Sequence, residues 1–298
     1  MRFAITIPNF SPWTIPLITD MAKKAETLGY DGCFLNEHLM LPFQNESYDP
    51  WILLSYLAHE TTTIKLGTNV TLLPFRQPTL LAKMATTLDI LSNGRLIVGV
   101  SVGWFETEFE AYGHCGMHEG WNNVGSRVRR MKESLEVMNK LWAGDRVAYK
   151  GKYYTVENAV LQPKPIQKPH PPVWVGGTKS YVLKLTASLA DGWISRPRSQ
   201  TVPLGALREQ MEMLKQLHRR SGRDGQLTYS HYGGFIVPEG VESIEPLPYA
   251  FYPMNKAVDS IEEIKQMGFD WYITWFYPVD KSLELMKRFA DEVVSTIK

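Results

Sequence analysis

IKLGTNVTLLPFRQPTLLAKMATTLDILSNGRLIVGVSVGW, residues 64–104, holds two apolar runs separated by one amphipathic segment, and each run passes directly into small and polar residues. Residues 64–70 are β-branched and short, as a buried parallel strand is. Over residues 79–91, Leu80, Leu81, Met84, Leu88 and Leu91 recur at spacings of three and four, which predicts a helix with that stripe inward. Pro78 suits the helix entrance, where its missing N–H costs nothing, and Gly94 in Ser92-Asn93-Gly94-Arg95 is placed to take positive φ at the exit. Residues 96–102 restart a strand. Parallel strands need such a crossover, and ligands of α/β sheets gather at the carboxyl ends of strands. Asn69, Thr71, Gly103 and Trp104 are therefore candidate site residues.

The same alternation runs through the chain. Strands are predicted at 3–8, 32–36, 173–177, 192–196, 229–237 and 271–277, with helices at 16–28, 50–60, 127–142, 180–190, 204–220, 260–267 and 283–297. Residues 147–158 read as a hairpin turning at Lys150-Gly151, and LQPKPIQKPHPP at 161–172 as an extended connection too rich in proline for either regular state. Eight strand and helix repeats favour a (β/α)8 TIM barrel, with insertions at the C-terminal face of the strands, over an open sheet with edges to protect. One domain is expected to span residues 1–298.

With 298 residues, 44% of them hydrophobic and 21% charged, the chain can bury a large core without disulfides. Its net charge of +1 gives no electrostatic reason to expect nucleic acid or an anionic membrane, which leaves small molecules as partners. Cys33 and Cys115 form no CxxC or Cys/His cluster, and MRFAITIPNFSPW reads as a first strand rather than a leader. No apolar run reaches the ~18 residues of a membrane span. A cytoplasmic location fits these features.

In a barrel, the residues leaving each strand converge on one mouth and can be pooled: Pro8, Asn9, Glu37, His38, Asn69, Gly103, Trp104, Gly176, Gly177, Arg196 and Trp275. The pool is poor in nucleophiles, and no GxSxG elbow is present. His38 follows a strand directly, where it serves either as a proton donor and acceptor or as a structural cap on a loop. The other histidines have neither HxH nor HExxH spacing, which argues against zinc. Trp174 to Ser180 passes from strand to helix through Gly176 and Gly177, leaving amides and a helix N-terminus for an anion, or simply making a tight turn. It lacks a P-loop pattern, and no GxGxxG marks a Rossmann site. Trp13, Trp104 and Trp275 lie at or near strand exits, as a wall for a flat ring or as core.

The ordered set AETLGYDGCFLNEH (25–38), TTTIKLGTNVTLLPFRQP (61–78), LAKMATTLDILSNGRLIVGVSVGW (81–104), PPVWVGGTKS (171–180) and ADGW (190–193) resembles the bacterial luciferase-like superfamily of flavin and deazaflavin oxidoreductases. The resemblance covers most of residues 1–198 and little beyond 200. It implies a TIM barrel with a flavin-type ring in the mouth, its phosphate near Gly176, Gly177, Thr178 and Ser180, and a cis peptide at Asn69-Val70 behind the ring. Glu37-His38 matches the acidic-His pair of the deazaflavin side, with Glu37 at the cofactor and His38 handling substrate or proton beside Trp104. YDPWILLSYLAHETTTIKLGT also looks more like the F420-dependent branch than like luciferase itself. Trp104 replaces a glutamate acid of some deazaflavin dehydrogenases and Pro42 an aromatic residue, so their sugar-phosphate chemistry is not carried over. Reduced F420 delivering hydride to an organic substrate is thus the expected chemistry. An FMN-dependent monooxygenase fed by a separate flavin reductase is the alternative, and a non-catalytic cofactor-binding barrel a third. The resemblance further implies a homodimer. The segments 105–126, with Tyr112, His114, His118 and Trp121, and 238–253 are expected to shape the substrate pocket.

Overall fold

The structure is a computed structural model, and it describes residues 1–41, 46–113, 124–195, 204–244 and 250–298. Eight parallel strands close into a barrel in chain order: β1 (Arg2–Ile7), β2 (Gly32–Leu35), β3 (Lys65–Thr68), β4 (Leu96–Ser101), β5 (Val173–Gly176), β6 (Gly192–Ser195), β7 (Thr228–Val237) and β8 (Trp271–Phe276). Closure is made where Arg2 to Ile5 pair with Trp271 to Thr274. The helices α1 (Ile15–Thr27), α2 (Pro50–Glu60), α3 (Pro78–Leu91), α4 (Val124–Ala143), α5 (Ser180–Leu189), α6 (Leu204–Ser221), α7 (Ala257–Gln266) and α8 (Ser282–Phe289) alternate with the strands. The TIM-barrel reading holds. No helix among the described residues is long and apolar enough to cross a membrane.

Local chemistry sets the helix ends. Asp49 caps α2 by accepting from the amides of Trp51 and Ile52 at 2.9 and 3.1 Å, with Pro50 at the first turn. Gln77 does the same for α3 through the Leu80 amide, and that helix ends with Gly94 at φ 76°, as the sequence required.

The expected stripe of α3 needs correction. Leu81 and Leu88 are buried, but Leu80 and Leu91 are 60% and 58% exposed. The inward face is built from Leu81, Ala82, Ala85, Thr86, Leu88 and Asp89, because small residues let this helix lie close against its neighbours. Asp89 is buried there because Gln167 of the proline-rich connection bonds both its oxygens, through its amide N–H at 3.0 Å and Nε2 at 2.7 Å. The stretch 161–172 is an extended connection, and this clasp fixes it to α3.

Rings from three strands that are not neighbours, Phe34 of β2, Trp174 of β5 and Trp271 of β8, meet inside the barrel with centroids 5.3 to 6.4 Å apart. They fill the lumen at that level. At the amino ends of the strands, aspartates immediately before β2, β6 and β8 accept the amide of the first or second residue of the preceding strand: Asp31 from Phe3, Asp191 from Val173 and Asp270 from Tyr229, each at 2.8 to 2.9 Å. Before β4 the same place holds Arg95. Its buried guanidinium donates to Ala58 O, Thr61 O, Ile64 O and Ser92 O at 2.7 to 3.1 Å and to Thr61 Oγ1, so the carbonyl end of α2 supplies the compensating negative potential. Arg95→Met is expected to leave several of these carbonyls unpaired and to lower the unfolding free energy by about 2 to 4 kcal/mol, read from urea denaturation.

Candidate functional site

The exits of β2, β3, β4 and β5 bring the predicted residues to one mouth. Along β2 the inward position after Phe34 is Asn36, followed by Glu37 and His38. Asn36 is buried, its amide donates to Asn9 Oδ1 at 3.2 Å, and its own Oδ1 has no partner among the described residues. Asn9 donates through Nδ2 to Tyr48 O, so that side chain holds a loop rather than facing the mouth.

Glu37 turns away from His38 into a network of donors. Its Oε2 accepts the Leu72 amide at 2.6 Å, and Oε1 accepts Arg76 Nε at 2.7 Å together with Arg76 Nη2, which also reaches Asp49. Burial pushes this carboxyl up to about 7, against the pull of Arg76 and the Leu72 amide. The carboxylate thereby fixes the segment after β3. Thr71 in that segment accepts from Trp51 Nε1 at 3.0 Å, and Thr71-Leu72 pairs with Val100-Ser101 of β4.

The Asn69-Val70 peptide is cis, as the family resemblance implied. Asn69 is anchored on both sides, its amide on Leu35 O at 2.8 Å and its Nδ2 on Thr6 Oγ1 at 3.1 Å. Val70 lies across from Gly176: a Cβ added at Gly176 would sit 3.3 Å from Val70 Cγ1. The β3 and β5 exits therefore share one wall, and Ser101 of β4 joins it by donating to Gly176 O at 3.1 Å.

Gly177 is a conformational residue rather than a donor. Its φ is 140°, its amide is taken by Ile194 O at 3.2 Å, and its carbonyl accepts from Trp193 Nε1 at 2.7 Å. This turn delivers the chain into α5, which begins at Ser180 after a Lys179 cap with no side-chain bond to the first turn. Val182 in that turn already donates to Lys179 O at 2.9 Å, so the anion cradle expected here has only the Ser180 and Tyr181 amides to offer, beside Thr178.

His38 and Trp104 meet edge to face, ring centroids 5.8 Å apart at 79°. His38 is buried, whereas Trp104 is 44% exposed. Gly103, at φ 80°, makes the turn between β4 and Trp104, and Phe109 packs so close that a Cβ at Gly103 would lie 2.5 Å from its ring. Trp13 and Trp275 belong to the core, at 2% and 1% exposure, so only Trp104 of the three tryptophans opens to solvent. Arg196, Pro42, Cys115, His114, His118 and Trp121 lie outside the described residues.

One residue of the site escaped the sequence reading. Glu108, in the short helix Glu106–Ala111, is fully buried with its carboxylate against His38 Nδ1 and the amides of Leu39 and Met40. ETEFEA offers three glutamates at alternate positions, and spacing alone does not single out the middle one.

A flavin-type group suits what these residues present. The orphaned Asn36 oxygen offers an acceptor, the first turn of α5 offers amides to a phosphate, and the shared wall of Val70 and Gly176 offers an apolar backing. Glu37 supplies a check on the rigidity of that wall. Because its folded pKa lies above the ordinary carboxylate value of ~4.3, the folded state binds more protons, and this group makes stability fall as pH rises through that window. Removing the guanidinium extends the window above 7. Arg76→Ala is therefore expected to cost about 3 kcal/mol at about pH 8.5 and less at about pH 6, measured by chemical denaturation at each pH.

The sequence model of the family described as Luciferase-like monooxygenase matches residues 1–291. An F420-dependent glucose-6-phosphate dehydrogenase of Microbacterium testaceum (strain StLB037) is 32% identical over 184 residues, which is 60% of this chain and 52% of that protein. The chain thus matches about half of that relative's length. An FMNH(2)-dependent dimethylsulfone monooxygenase of Pseudomonas putida is 27% identical over 67% of this chain and 57% of its own length. Among solved structures, an F420-dependent secondary alcohol dehydrogenase in complex with an F420-acetone adduct superposes with a TM-score of 0.82 at 17% identity, covering 100% of this chain and 99% of that one. At that identity the likeness is one of fold.

Proposed function

The chain belongs to the luciferase-like monooxygenase family, and from that premise we propose that it is an oxidoreductase of the F420-dependent branch acting on a small organic substrate. The observation that carries the reading is the convergence at one mouth of the wall shared by Val70 and Gly176 and the His38-Trp104 pair. The cofactor reading places the ring against Val70, Gly103 and Gly176, with Asn36 and Asn69 at its polar edge and the phosphate at Thr178 to Ser180. Glu37 then acts on the cofactor indirectly, by holding the segment that carries Val70. Bound F420 would supply the hydride. His38 would hand a proton to the substrate oxygen in reduction, or take it in oxidation, while Trp104 covers the substrate on its solvent side.

The reading prefers F420 because the dehydrogenase of M. testaceum is among the most similar relatives. The Pseudomonas monooxygenase supports the second reading, an FMNH2-dependent monooxygenase supplied by a separate reductase. Titration of the purified protein with F420 and with FMN separates them. Micromolar affinity for F420, weakened at least about tenfold by Gly176→Leu with folding retained, is the expected result. Binding of FMN alone would replace the first reading by the second, and binding of neither would remove both.

One barrel domain, a cytoplasmic location and a homodimer complete the proposal. Cys33 is a buried free thiol, as a reducing compartment allows. The adjacent helices α2 and α3 expose Ile52, Tyr56, Leu80 and Leu91, apolar side chains that association would cover. Ile52→Glu combined with Leu80→Glu is expected to convert a dimer to monomer in light scattering coupled to size exclusion. An unchanged mass would move the interface elsewhere.

A further inference from the structure

Glu108 is the most deeply buried carboxylate at the mouth, and among the described residues no lysine or arginine pairs with it. A buried carboxylate must be compensated, and here the compensation comes from the loop it faces. Oε1 accepts the Leu39 amide at 2.5 Å and the Met40 amide at 3.3 Å, while Oε2 lies 3.3 Å from His38 Nδ1. The loop is clamped from other sides too. Ser47 Oγ donates to His38 O at 2.7 Å, and Tyr112 Oη to Leu39 O at 3.2 Å. With the backbone on both sides of His38 held, the ring's remaining freedom is which nitrogen carries the proton and which way it faces.

We propose that Glu108 is the positioning residue of His38, fixing the proton on Nδ1 so that the Nε2 lone pair is left for the ligand. An ionised carboxylate only accepts, so the 3.3 Å contact is a hydrogen bond only when Nδ1 carries hydrogen. Bonds to charged groups of this kind bias a population at least roughly tenfold. Nε2 has no protein partner among the described residues, and the ring is braced by the edge-to-face contact with Trp104. The other charged groups at this exit, Glu37, Arg76 and Asp49, are joined to one another and turn away from the imidazole. Should Nε2 accept a proton from a ligand hydroxyl, the imidazolium forms already paired with Glu108, with no rearrangement. The second half of this role rests on the functional reading above; the tautomer does not.

Glu108→Gln makes the test sharp, because it keeps the shape and reverses one polarity. The amide oxygen stays with the two loop N–H groups, which leaves the amide nitrogen facing Nδ1. Nδ1 must then accept, and the proton moves to Nε2, the wrong-tautomer effect known from an amide replacing the carboxylate of a catalytic triad. The measurement is long-range proton–nitrogen correlation NMR on full-length protein labelled with 15N-histidine, at alkaline pH. Loss of one signal set in His38→Ala assigns it among the seven histidines. Nδ1–H in the parent and Nε2–H in Glu108→Gln is the expected result. Nε2–H in the parent overturns the proposal without recourse to any variant, as does an unchanged tautomer in a folded Glu108→Gln. With an accepted substrate, kcat in Glu108→Gln is expected to fall roughly 100-fold, the lower end of what acid–base catalysis contributes, while the F420 dissociation constant stays put. If the tautomer switches but His38→Ala leaves turnover unchanged, the pairing stands and the catalytic reading of His38 falls.

Discussion

A closed ring of parallel strands has two unequal ends, and in this barrel the lumen between them is filled. Phe34, Trp174 and Trp271 reach in from strands that do not touch and occupy the interior. The interior at that level has no room for a small molecule, which leaves the strand ends, and the candidate residues lie where the chain leaves each strand. Every candidate residue gains its relevance from that constraint, since Glu37, Asn69, Trp104 and Gly176 are otherwise far apart in the chain.

The two ends use carboxylates differently. At the amino ends, Asp31, Asp191 and Asp270 each take one amide at the start of the preceding strand, a short-range repeat that ties strands in pairs. Arg95 stands in the equivalent place before β4 and reverses the polarity, donating to the carbonyl end of α2. At the mouth, Glu37 and Glu108 instead reach amides of other loops, Leu72 in one case and Leu39 and Met40 in the other. The first device sets the strand ladder. The second determines where the side chains at the mouth can point.

That difference explains how far the sequence could be read. Strands and helices follow from local periodicity, and the aspartates fall inside stretches such as GYDG and ADGW that were already informative. The α3 stripe went astray because counting leucines ignores Ala82 and Ala85, whose smallness decides which face approaches the barrel. Glu108 was illegible for a different reason: its partners lie about seventy residues away, and nothing in ETEFEA encodes which glutamate the fold will turn inward. Likewise Gly177 was visible as a glycine, but only the bond from its amide to Ile194 O shows that it shapes the turn instead of donating to an anion.

The polar groups that remain open are few, and they constrain the ligand more than the lining does. Asn9, Glu37 and Glu108 are engaged by protein partners, and Asn69 is held through its amide and Nδ2 only. Of the polar groups named at the mouth, the Asn36 carbonyl oxygen, His38 Nε2 and the Ser180 and Tyr181 amides of α5 have no protein partner among the described residues. An acceptor, a lone pair and a set of donors at a helix N-terminus call for a ligand set with a hydrogen-bond donor, a transferable proton and an anion. A phosphate-bearing ring with polar edges satisfies the first and last, and a second, protic molecule beside Trp104 satisfies the other. On the proposed reading the mouth takes two ligands at once, as a bimolecular redox reaction requires.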